Sequence, residues 1–154
     1  MPPRSRKIPI AILAVAALAL AASAALAARA VQGATYRGSL SGGQSHVAIS
    51  LRVSASGSQV VGVTLGKLPI YCAGNAPPGA RVAFRAAKIS AAGTFSTTGA
   101  DTLDAGPLKG QKVATLTLSG SFMAGGAEHG VIATTYSGPA AHCNGRSSYS
   151  TRAS

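Results

Sequence analysis

The sequence predicts an all-β domain, an antiparallel β-sandwich or small β-barrel of about 7–8 strands, preceded by an N-terminal signal-peptide helix. Three observations lead there. After residue 30, apolar and polar residues alternate at period two in several runs; clusters of Gly, Pro, Ser and Asn separate those runs; and no segment carries a convincing 3.6-residue period. The same stretch holds 16 Ser and 11 Thr, which suit the solvent face of a sheet. A length of 154 residues fits one such domain. With 47% hydrophobic and only 11% charged residues, the chain is not composed like a disordered one. Its two cysteines are too few for a multi-bridge scaffold or a four-thiolate zinc site.

The first thirty residues read as a signal peptide. Arg4, Arg6 and Lys7 give a positive start, 21 uncharged residues run from Ile8 to Ala28, and Ala-x-Ala patterns at Ala25–Ala27 and Ala28–Ala30 offer cleavage near Ala27 or Ala30. The alternative is a single-pass anchor formed by residues 8–28 with the domain outside, but 11 of those 21 residues are alanine, weakly apolar for a span. The expected product is residues 31–154, secreted or associated with the cell surface, meeting a membrane only through an uncleaved signal segment. Ten basic and three acidic residues remain in it, a formal charge of +7.

The elements follow in order. Tyr36 to Leu40 reads as a short first strand. From His46 to Ser54, Val47, Ile49, Leu51 and Val53 fall on one face; after Ser56-Gly57-Ser58, Val61, Val63 and Leu65 resume the alternation, which predicts a hairpin. Ala80 to Lys88 reads as a strand with Val82, Phe84 and Ala86 on one face, or as a short helix with Arg81, Arg85 and Lys88 in a stripe; the strand is favoured by its length and neighbours. Ile89 and Thr94 to Ser96 flank the turn Ala91-Ala92-Gly93. Val113 to Phe122 puts Ala114, Leu116, Leu118 and Phe122 inward, with a bulge or bend expected at Gly120. A small-residue turn at Ala124 to Ala127 leads to a strand from Gly130 to Tyr136, and Ser147 to Thr151 closes the set. Lys67 to Gly79 and Thr97 to Gly110 read as loops.

An exported chain meets an oxidising environment, so Cys72 and Cys143 are expected to pair, in preference to free thiols or metal ligands. The bridge would close a loop of 72 residues.

Tyr36-x-Gly38, the alternating run ending at Val53, the lone Cys72, Ile89 leading to Gly93-Thr94-Phe95-Ser96, Gly120-x-Phe122, and Cys143-x-Gly145 with Tyr149 occur in that order. The chain in this respect resembles a group of small exported β-proteins of high-GC bacteria, for which no activity is established. The resemblance implies an all-β fold with one cysteine pair, and it transfers no functional residue.

Chemistry-bearing residues are few. His46, His129, His142, Asp101, Asp104 and Glu128 are the whole stock of ordinary acid–base groups. Glu128 and His129 are adjacent, so on a strand they point to opposite faces. Asp101 and Asp104 read as solvated turn residues in a Gly-flanked loop. No Gly-x-Ser-x-Gly elbow is present, and the residues specify neither cofactor nor metal. The positive charge points to anionic cell-envelope polymers as partners, with Arg81, Arg85 and Lys88 as contact candidates, or simply to a solvated surface. No specific nucleic-acid motif occurs. The leading expectation is a non-catalytic structural or binding module at the envelope; the alternative is a small secreted hydrolase with a site assembled from loops.

Overall fold

The computed structural model describes residues 30–41, 47–66, 80–103, 106–107, 109–138 and 141–154. The signal segment before residue 30, His46, Cys72 and Asp104 lie outside them. Among the described residues no helix is long and apolar enough to cross a membrane.

The described residues form nine strands: β1 (Thr35–Leu40), β2 (Ala48–Val53), β3 (Gln59–Leu65), β4 (Ala80–Phe84), β5 (Ala87–Lys88), β6 (Thr94–Leu103), β7 (Lys112–Phe122), β8 (Ala127–Gly138) and β9 (Ala141–Ala153). All pairings are antiparallel, and the strands make one sheet in the order β4-β6-β7-β8-β9-β1-β2-β3-β5. The all-β antiparallel expectation therefore holds. The observed architecture is a single curled sheet, a half-barrel, rather than two sheets face to face. Its edge strands, β4 and β5, are separated in the chain only by Arg85 and Ala86.

Period-two patterning explains which face is inside. Tyr36 and Leu40 of β1, Ile49, Leu51 and Val53 of β2, Leu116, Leu118 and Phe122 of β7, and Ile132 of β8 are all buried, while their chain neighbours face outward or sit half-buried. Phe122 anchors the interior, with its ring centroid 5.0 Å from Tyr36 in an edge contact and 5.5 Å from Phe95.

Several expectations need correction. Val61 is 37% exposed and Val60 is buried instead. The ladder between β2 and β3 shifts register between Arg52 and Val53, so Val53 faces Val60 while Leu51 faces Val63, and Val61 is the extra residue of a bulge. Residues 80–88 are extended as favoured, but the strand breaks at Arg85-Ala86, which moves the buried position to Ala87 and leaves Ala86 exposed. The break has a structural use: Thr97 Oγ1 donates to the Arg85 carbonyl at 2.7 Å on the β6 side, whereas Ala87 pairs with Val60 of β3. Thr97 to Leu103 is strand, not loop, because Phe95, Thr97, Gly99 and Asp101 take successive inward positions along β6. Asp101 is accordingly buried rather than a solvated turn residue. Gly120 sits in unshifted ladder, opposite Phe95 and Gly130, with no bulge.

Candidate functional site

Strand alternation sends Glu128 and His129 to opposite faces, as expected. Glu128 goes inward and is 0% exposed. There Tyr149 Oη donates to its Oε1 at 2.7 Å and Thr151 Oγ1 donates to its Oε2 at 2.6 Å, both from β9. Two glycines clear the space: a Cβ at Gly120 would collide with Glu128 Oε1 and lie 2.7 Å from Tyr149 Oη, and one at Gly130 would collide with the Tyr149 ring. The sequence reading missed this cluster. Its signal was the step of two back from Ile132 through Gly130 to Glu128; nothing local announced the partners some twenty residues on.

Burial pushes the Glu128 carboxyl up to about 7, against the opposing effect of the hydrogen bonds from Thr151 and Tyr149. The Tyr149 hydroxyl is raised as well, first by burial and then by the Glu128 charge beside it. A general acid or base must come within hydrogen-bond reach of its substrate. Glu128 has no exposed surface, so its proton serves the interior.

On the other face, His129 Nδ1 lies 3.0 Å from Ser150 Oγ. That is the spacing of a nucleophile and base, but the described carboxylates, Asp101 and Glu128, are both buried and supply no orienting acid there. Among the described residues no three of His, Cys, Asp and Glu are grouped to hold a metal. A cleft of about 290 Å³ opens where residues 30–32 meet the β2–β3 and β5–β6 turns, lined by Gln32, Ser56, Ser58, Ile89 and Ser90 among others and by no charged side chain.

The predicted basic trio is not a compact patch on one strand. Arg81 belongs to β4, Arg85 to the break after it and Lys88 to β5; Arg85 and Lys88 are exposed, and the Arg81 side chain lies outside the description. Cys143 is placed opposite Tyr136 in the β8–β9 ladder, and Cys72, its expected partner, lies outside the described residues. His142 pairs in register with Ser137. The larger electrostatic feature is the described surface as a whole. Arg37, Arg52, Arg85, Lys88, Lys109, Lys112, Arg146 and Arg152 are all exposed, so every exposed ionised side chain of fixed charge among the described residues is a cation.

Comparison with known proteins returns no match to the chain, whether among family models, curated proteins or solved structures.

Proposed function

We propose that the chain is an exported β-domain that acts without catalysis as a binding module at the cell envelope and contacts anionic polymers there. The observation that carries this reading is the separation of charge: the two described side-chain carboxylates are buried while eight cationic side chains face solvent. Such a surface concentrates polyanions and speeds their encounter. Export rests on the N-terminal pattern of Arg4, Arg6 and Lys7, the uncharged run and the Ala-x-Ala exits.

Pairing of Cys72 with Cys143 belongs to the same reading. β3 ends, β4 begins and β9 begins at one end of the antiparallel sheet, so the connection carrying Cys72 leaves and re-enters at the end where Cys143 lies. Intact mass of the unreduced secreted protein should fall two hydrogens short of the dithiol and start near residue 28 or 31. Two alkylatable thiols would remove the bridge from the proposal.

The deciding experiment is sedimentation with protein-free bacterial cell walls, intact or chemically stripped of anionic polymers, at roughly 0.15 M salt. Saturable retention on intact walls alone is expected; retention equal on both, or absent from both, overturns the reading. A small secreted hydrolase is the second reading, favoured by the 3.0 Å contact between His129 and Ser150. Covalent labelling of Ser150 by a fluorophosphonate would select it.

A further inference from the structure

We propose that the outer face formed by β9, β1 and β2 is a binding site for phosphodiester polymers of open-chain polyols, gripped by Arg37 and Arg152 with Arg52, Ser39 and Ser150 beside them. The inference rests on the reading of an anionic-polymer module and adds where the polymer sits and what chemistry it has.

Arg37 of β1 and Arg152 of β9 are direct cross-strand partners, and both are exposed. Residues so placed have Cβ atoms about 4.5–5.5 Å apart, and like charges there oppose folding. Their neighbours in the same row offer no relief, being Ser50 opposite Arg37 and Ala127 opposite Arg152. No described side-chain carboxylate reaches this face, since Asp101 and Glu128 are buried. An unrelieved pair of this kind is suited to an anion held between two guanidinium groups.

The surroundings extend the site. Two residues along, Ser39 faces Ser150, whose Oγ is 3.0 Å from His129 Nδ1. Arg52 stands on β2 opposite Thr35, diagonal to Arg37. Its Nε lies 3.8 Å from the point a Cβ of Gly62 would occupy, an ordinary contact distance, so the side chain leans over β3. Three arginines are thus rooted on three adjacent strands, with strand spacing about 4.8 Å. Arginine suits this role, because its planar fork takes two phosphate oxygens at once.

The rest of the ligand follows from what the face lacks. Among the described residues Tyr36, Phe95, Phe122 and Tyr149 are buried, and Phe84 and Tyr136 pack half-buried against the core. The His129 imidazole, tied to Ser150, is the one ring exposed on this face among the described residues, so no phenyl or phenol platform is offered there for a nucleobase. Serine hydroxyls beside the arginines match the hydroxyls of a flexible polyol.

Calorimetric titration of the full chain with a defined oligo(glycerol phosphate) at roughly 0.15 M salt tests the site. Exchange of both Arg37→Ser and Arg152→Ser is expected to weaken binding by about tenfold or more, and the charge-matched pair Arg85→Ser and Lys88→Ser by less than about threefold. Equal losses from the two double variants would overturn the site in favour of diffuse attraction, leaving the envelope reading intact. Wild-type protein that is retained on intact walls yet ignores the oligomer would overturn the ligand class. Equal affinity for single-stranded DNA of the same charge would do so too. The ligand-free thermal midpoint of the Arg37/Arg152 variant at low salt should equal or exceed that of the wild type; a fall would refute the unrelieved repulsion.

Discussion

Glu128 places a carboxyl inside an apolar half-barrel, and two hydroxyls of β9 receive it. Its folded-state value of about 7 lies above the ordinary 4.5, so the folded chain holds this proton more tightly than the unfolded one. The resulting stability is full below about pH 4.5 and is lost as pH rises through about 7. Denaturant titrations should therefore show the fold losing about 3 kcal/mol between pH 4.5 and pH 8 from this group alone. Glu128→Gln keeps an acceptor for Tyr149 and can donate to Thr151, so it should fold and flatten that profile; an unchanged slope would assign the pH dependence elsewhere. Two glycines provide a packing contrast. Gly120→Ala drives a methyl group into Glu128, Phe95 and Tyr149 and should cost about 1–3 kcal/mol. Gly145→Ala meets nothing within 4 Å and should stay within about 0.5 kcal/mol of the wild type. Glu128's inward direction was legible from period two once β8 was recognised. Its partners were not, because Tyr149 and Thr151 meet it only through the pairing of β8 with β9.

Along the strands, legibility depended on whether the pleat was regular. β2, and β7 from Ala114 to Leu118, were readable residue by residue, since Ile49, Leu51 and Val53, and then Ala114, Leu116 and Leu118, alternate without interruption. β3 was misread at Val61 because a bulge is set by the register against β2, and no residue type in Gln59–Leu65 marks it. β6 was cut short because Thr98, Gly99 and Ala100 are too small to display an apolar face, though Phe95 and Asp101 are both buried. The pairing of Arg37 with Arg152 joins strands more than a hundred residues apart and was invisible for the same reason as Tyr149 and Glu128. Arg37→Ser should raise the thermal midpoint by about 1–3 °C at low salt, with the gain shrinking as added salt screens the pair. A gain independent of salt would show that side-chain packing, not charge, was relieved.

Across the described residues, β1 to β3 and β6 to β9 are two runs of sequential neighbours joined where β9 lies beside β1, while β4 and β5 form the opposite edges beside β6 and β3. Long-range closure of this kind is where a covalent tether matters most. A Cys72–Cys143 bridge over a loop of 72 residues would contribute about 4 kcal/mol in the chain-entropy model, so Cys72→Ser should lower stability by roughly that amount under oxidising conditions and by nothing under reducing ones. Equal stability of the variant and the wild type in oxidising buffer would count against the bridge. Local chemistry along the chain sufficed to specify strands, turns and the apolar face of each, because alternation and turn propensity act between residues a few positions apart. Which strands became neighbours, where the ladder slipped, which charges were forced together and which acid was sealed inside were decided only on folding, because those outcomes depend on register between segments whose sequences carry no mark of each other.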